Sequence, residues 1–325
     1  MKNTFTFIVT IILVAGIVWK LGGVGEVGEL LVGISPIYVL LIFVVHTLDR
    51  ALMVFKWGHL LKSRGIYLPF FRGMKIYCAS MIWGMFLPST VGADAIRAYS
   101  TSRSGLDSNE VVASIIVERL IGFLSALLLG LLAFFLFSHI GTPDNRFKFI
   151  WWASGILLFC ATIAFTASFS QGVFDFLHGR LFGRFRDNRI MRRLQQYHST
   201  YLSYKNDRKS LVVFFGLTFA EQLVPILESW LIARGMGIEV GIAFIAGAVP
   251  LAMLVSRLPV AFNGIGVFEG AFIVLMAIAG VTATEAVAIS LAGRVLQTAS
   301  WLPWWGAYVL NIGEVKPPQS LRIRN

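Results

Sequence analysis

Charge is scarce in this chain: Asp, Glu, Lys and Arg make up 14% of its 325 residues, against about 25% in ordinary soluble domains. So few charges cannot cover the apolar side chains in water, which excludes a water-soluble globular enzyme or a soluble binding module. Cysteine is scarcer still. Cys78 and Cys160 sit in separate apolar segments without metal-ligand spacing, so neither a disulfide framework nor a zinc site organises the fold. The five histidines are scattered. No Gly-rich loop ends in Lys-Ser/Thr and no Gly-x-Ser-x-Gly elbow occurs, so nucleotide hydrolysis and serine-nucleophile chemistry lack the residues they need. No enzyme activity and no cofactor are expected.

What is there is apolar: 57% of the residues are hydrophobic, with nearly uncharged runs at Ser125–Phe137, Ile156–Ala167 and Gly266–Gly280. Lipid is the natural solvent for such runs, and a helical span needs about 20 of these residues. The pattern predicts an all-α polytopic membrane bundle with spans near 4–21, 34–54, 109–137, 149–169, 211–233 and 285–311. Residues 1–19 lack a small-residue cleavage site and read as an uncleaved first span. Residues 1–315 form one transmembrane domain and 316–325 a tail.

The net charge of +11 is placed between spans, which points to membrane orientation rather than nucleic acid. Residues 55–75 carry Lys56, Lys62, Arg64, Arg72 and Lys75 with no acid, and residues 171–209 carry nine Lys/Arg against three Asp. Both stretches are expected on the cytoplasmic side, with both termini, in a multi-pass plasma-membrane protein; Glu26 and Glu29 face outward. The basic loops would also attract anionic lipid headgroups.

Two regions break the regular span pattern. Residues 73–103 stop at Leu87-Pro88, turn at Gly92, and resume as a helix bearing Asp94 and Arg97; residues 241–280 stop at Leu258-Pro259 and resume after Gly264 and Gly266. Charge parity requires 73–103 to enter and leave on one side, as a re-entrant or tightly paired element. An offset of 175 residues then superposes the two halves, approximately 30–140 and 205–312. Gly105, Glu110, Val112, Ala113 and Arg119 fall on Gly280, Glu285, Val287, Ala288 and Arg294. Opposite directions of spans 109–137 and 285–311 make the repeats inverted, and inverted repeats with broken helices place a transport site where the breaks face each other.

Ionisable side chains within spans cost roughly 2.5–3.5 kcal/mol each on insertion scales, so each calls for a reason. Asp49 shares a helical face with His46 and Arg50. Glu221 and Glu228 lie seven apart on one face with Pro225 between them. Arg119 needs an acid on a neighbouring helix. Arg294 needs an acid such as Glu221 or Glu269, or an anionic ligand. Asp94 is either a helix cap or a site residue. The candidate substrate-binding set is therefore Asp49, Asp94, Arg97, Arg119, Glu221, Glu269 and Arg294.

The stretch Leu87-Pro88-Ser-Thr-Val-Gly92-Ala-Asp94-Ala-Ile-Arg97, with Val117-Glu118-Arg119, Leu258-Pro259, Gly264-Ile265-Gly266-Val267-Phe268-Glu269-Gly270 and Arg294, resembles the lysylphosphatidylglycerol synthase transmembrane region, or flippase-like family, over nearly the whole chain. In bifunctional members of that family this domain moves aminoacylated phosphatidylglycerol across the bilayer after a C-terminal synthase domain has made it. The chain ends at Asn325, so a stand-alone membrane domain without the synthase half is expected. The resemblance implies a flippase-like transporter for a phospholipid or lipid-linked substrate, with Asp49, Arg97, Glu221 and Arg294 at positions that matter in the family. Two other readings stay open: a carrier for a small anionic or proton-coupled solute, and a non-transporting accessory subunit of a lipid-modifying or glycan-building system. Oligomeric state is open, and no nucleic acid is expected.

Overall fold

The computed structural model describes residues 25–84, 91–103, 105–140, helical positions between 156 and 172, 189–256 and 265–310. The expected span 4–21, most of 149–169, the tail, and the break residues Pro88, Pro259 and Gly264 lie outside the described residues. All regular structure among those described is helical, and three stretches, Pro36–Lys62, Ser108–Ala133 and Arg208–Gly235, are long and apolar enough to cross a membrane. The protein is an all-α membrane bundle.

A short helix α1 (Gly25–Val32) leads into α2 (Pro36–Lys62), whose first residue is a proline that loses no intrahelical bond there. Helix α3 (Phe70–Gly84) and α4 (Val91–Arg103) follow and pack on each other. A Cβ on Gly84 would lie 2.5 Å from that of Ala93, so glycine is what lets the two helices meet at their junction. At about 1.5 Å per residue, the 15 residues of α3 reach ~22 Å, short of a ~30 Å hydrocarbon core. Gly92 lies inside α4 rather than in the turn expected there.

Gly105 adopts φ +83° and turns the chain into α5 (Ser108–Ile140). The basic stretch 171–209, read as a loop, contains an amphipathic helix α6 (Arg189–Ser203) that packs on α5. After a single 3-10 turn, Asp207 caps α7 (Arg208–Glu221) by accepting the Ser210 amide at 3.1 Å. The expected span 211–233 is interrupted: α7 ends at Glu221, and α8 (Val224–Gly235) begins after two intervening residues. Pro225 has no N–H to continue the ladder. Helix α9 (Ile242–Ser256), α10 (Val267–Ala277) and α11 (Ala283–Val309) complete the described fold.

The order and bounds of the helices follow the same 175-residue spacing along the chain. Helices α3, α4 and α5 correspond to α9, α10 and α11, while α2 corresponds to the α7–α8 span. Gly105 and Gly280 both take left-handed φ, +83° and +78°, which a side chain would oppose. Across the halves, α9 packs on α5 as α3 packs on α11. Apolar clusters flank the junction: Trp57, Met74, Val111 and Ile115 on one side, Ile232, Ile245, Phe272 and Met276 on the other. Large apolar side chains such as Leu48, Phe55, Val212 and Val274 point outward, while charged ones are buried between the helices. That inside-out distribution suits lipid as the outer solvent.

Helix α2 also corrects the charge map. It extends to Lys62, so Lys56 is a buried helical residue rather than a loop charge. Arg64 donates from Nε and Nη2 to Glu110 at 3.0 and 3.1 Å, and Lys75 is buried in α3. Three of the five basic residues in 55–75 are thus engaged inside the protein and carry little orientation signal.

Candidate functional site

One face of α2 carries His46, Asp49, Arg50, Met53 and Lys56 at helical spacing. The face meets α7 and α8 from the second half and α3 and α5 from the first. Between them lies a cavity of about 260 Å³, lined by Asp49, Arg50, Lys56, Tyr77, Asp94, Glu118, Arg119, Glu221, Gln222 and Glu228, with Met81, Met253 and Gln297 among its other walls. The break between α7 and α8 opens onto it through Glu221, Gln222, Val224 and Pro225. A larger hollow of about 480 Å³ between α1 and the start of α11 is lined by Glu26, Glu29 and Glu285, away from this junction.

Arg97 is 2% exposed, as deeply buried as Lys56. Its guanidinium stands 4.7 Å from the Trp57 ring and 4.8 Å from the Tyr77 ring, close enough for cation–π attraction on both faces. Arg97 Nη2 lies 2.7 Å from Glu118 Oε2 and 3.4 Å from Asp94 Oδ1. Tyr77 donates its hydroxyl to Glu118 Oε1 at 3.1 Å, and Arg119 Nε donates to Asp94 Oδ2 at 2.6 Å. Asp94 is therefore an ion-pair hub shared by two arginines. Taking these charges out of water costs several kcal/mol per ion, repaid only where partners are this close.

Two further pairs line the opposite wall. Lys56 bridges Glu221 and donates to Thr218 Oγ1 at 3.3 Å, so the last residue of α7 is tied to α2 from the other half. Arg50 binds its neighbour Asp49, with Nε at 3.1 Å from Oδ2, and its guanidinium lies 5.7 Å from the Trp301 ring. Beyond them, His46 Nε2 stands 3.1 Å from Glu228 Oε1.

Of the residues singled out in the sequence, Asp49, Asp94, Arg119 and Glu221 share this cavity. Arg97 sits behind it, bound to two of its walls. Arg294 and Glu269 lie outside its lining and form their own pair, Nε to Oε1 at 2.7 Å; Glu269 Oε2 also accepts the Gly266 amide at 2.6 Å. That backbone contact holds the start of α10, where Gly266 takes φ +83°. Sequence reasoning missed Lys56, which composition filed as a loop charge; its signal was its spacing of seven from Asp49, two turns along one helical face. Glu118, Glu228 and His46 were noted but not assigned to the site. Among the described residues no cluster of His, Cys, Asp and Glu is arranged to hold a metal ion.

Residues 7–303 match the family described as "Lysylphosphatidylglycerol synthase TM region". Two proteins of Methanothermobacter thermautotrophicus, each named "UPF0104 membrane protein", align with the chain. One is 22% identical over 322 residues, covering 91% of both chains; the other is 21% identical over 322 residues, covering 90% of both.

Proposed function

Because the chain belongs to the family of the lysylphosphatidylglycerol synthase transmembrane region, we propose that it is a flippase-like transporter. It passes the polar headgroup of a phospholipid or lipid-linked substrate between leaflets and makes or breaks no covalent bond. The observation that carries this reading is the charged cavity at the junction of the two halves, enclosed by a bundle whose outer face is apolar. A volume of about 260 Å³ falls just below the range of sites for whole drug-sized ligands. It suits a headgroup whose acyl or prenyl chains stay in lipid.

Within this reading, Arg119 is the phosphate contact best placed by exposure, since 47% of its side chain is accessible while its Nε is held by Asp94. A guanidinium is the side chain whose planar donors suit a phosphate. Arg97, wedged between rings and carboxylates, acts as a positioning residue for Asp94 and Glu118. Asp49 and Glu221 face the polar or cationic part of the headgroup. Arg294 and Glu269 form the related element of the second half, and the two halves work as inverted repeats. We place the protein in the plasma membrane with both termini cytoplasmic, its remaining basic segments against anionic headgroups.

Carboxylates outnumber Lys and Arg around the cavity, which favours a proton-coupled solute carrier as a second reading. Vesicles carrying the purified protein and a fluorescent lipid panel, including phosphatidylglycerol, lysyl-phosphatidylglycerol and a polyprenyl phosphate, separate the two. Bleaching of outer-leaflet probe is expected to reach beyond the half seen in empty vesicles for at least one lipid. Leaflet distributions identical to empty vesicles across the panel overturn the lipid reading.

A further inference from the structure

Five carboxylates line the cavity, and four of them have a permanent cation as partner. Asp49 pairs with Arg50, Asp94 with Arg119 and Arg97, Glu118 with Arg97, and Glu221 with Lys56. Glu228 is different: its ion-pair partner is His46, 1% exposed, whose buried Nε2 stands 3.1 Å from Oε1 without meeting hydrogen-bond geometry. Histidine is the one side chain whose ordinary charge change falls near neutral pH. Room for the Glu228 carboxylate comes from Gly293 on α11, where a Cβ would approach Oε1 to 2.7 Å. The pair joins α2 of the first half to α8 of the second.

We propose that His46 and Glu228 form a proton-binding site that sets the charge of the cavity and couples substrate binding to proton uptake. Arg50, Lys56, Arg97 and Arg119 set four positive charges against five carboxylates, leaving the cavity one negative charge. A second proton on the His46 ring, so that both nitrogens carry one, brings the sum to zero. An anionic phosphodiester then enters a neutral cavity rather than a negative one, so substrate and proton favour each other's binding by linkage.

Among the described residues the surroundings do not supply another cation for this role. On α2 itself Asp49 and Arg50 neutralise each other, and Glu221 at the end of α7 is held by Lys56. Tyr77 of α3 donates to Glu118 of α5, Arg119 of α5 is held by Asp94 of α4, and Arg294 of α11 by Glu269 of α10. Helix α9 contributes no titratable side chain between Ile242 and Ser256. The substrate half of the proposal rests on the headgroup reading above; the proton site does not.

The test uses the full chain in nanodiscs. Histidine-labelled protein is followed by NMR over roughly pH 5–9, with the His46 signal assigned by its loss in His46→Gln. The expected result is a His46 protonation step that moves in Glu228→Gln. A His46 that keeps one form throughout, or a step unchanged by Glu228→Gln, overturns the proton site. Calorimetric titration with dioctanoyl phosphatidylglycerol in two buffers of different ionisation heat then counts protons. About one proton taken up per lipid, and binding that tightens by up to about tenfold per pH unit on acidification, supports the coupling. No proton uptake on binding overturns it. Absence of binding by this lipid counts against the headgroup reading while the histidine titration still decides the proton site. Equal binding of glycerol 3-phosphate with the same proton count keeps the coupling and assigns it to a soluble anion.

Discussion

The two halves of this protein carry the same ion pair in different company. Asp94–Arg119 in the first half and Glu269–Arg294 in the second share positions 175 residues apart, and their contact distances are 2.6 and 2.7 Å. Around the first pair lies an inner layer of Trp57, Tyr77, Arg97 and Glu118; at the corresponding positions the second half has Ile232, Ala252, Phe272 and Gly293. The first half has therefore packed a charged network where the second packs an apolar core, and Phe272 is fully buried in that core. The common pair fixes helix to helix in each half, whereas the added network makes one half the polar wall of the cavity. A repeat architecture thus keeps its scaffold contacts in duplicate and differentiates the layer beneath them.

The largest expected effect breaks that inner layer. Arg97→Met leaves Glu118 and Asp94 without their buried cation, and removing one partner of a buried pair costs about 3–5 kcal/mol. Thermal unfolding in detergent is expected to show a severe loss, while Arg294→Met, at a guanidinium 35% exposed with a single carboxylate partner shown, is expected to cost less. Equal losses at the two positions contradict the difference drawn between the halves.

An intermediate effect is expected where the halves are tied together. Lys56→Leu copies the residue at the matching position, Leu231, and strands the Glu221 carboxylate; Glu221→Gln strands the Lys56 ammonium. Each single change is expected to destabilise, and the double variant to recover much of the loss, giving an interaction energy within about 0.5–3 kcal/mol. Additive losses show that the pair is not a unit.

The smallest effect concerns how each half begins. Asp207 caps α7 through Ser210, whereas Ser35 makes no side-chain cap at α2, which starts on Pro36 instead. Asp207→Ala is expected to cost about 1 kcal/mol and Ser35→Ala much less. The Ser210 hydroxyl and amide hold the Asp207 carboxyl below its ordinary range. Its contribution is thus complete above the ordinary carboxylate range and disappears as pH falls through the lowered value. A stability gap between wild type and Asp207→Ala that persists unchanged to strongly acid pH contradicts the capping role.

Much of the bundle was legible because its signals are local. Apolar runs of spanning length, the Gly-Glu-Val-Ala register of the repeat, and the insertion cost that picks out Asp94, Arg119, Glu269 and Arg294 all sit within a few turns of chain. The interruption at Gln222 was half legible, since Pro225 marked a weak point without fixing where the helix ends. Lys56 was misfiled for a physical reason: an apolar window ends at a charge whether that charge meets water or a buried carboxylate. Arg294 shows the same limit, as the sequence left Glu221 and Glu269 both open to it.

By itself, then, the sequence determined that the chain lives in lipid and that it is helical, because hydropathy and helical period act over neighbouring residues. Which acid meets which base was decided by the tertiary structure alone. Ion pairing depends on distances of about 3 Å between segments 21 to 182 residues apart, and only the packing of helix against helix sets them. That packing gave Lys56 to Glu221 and left Glu228 to a histidine.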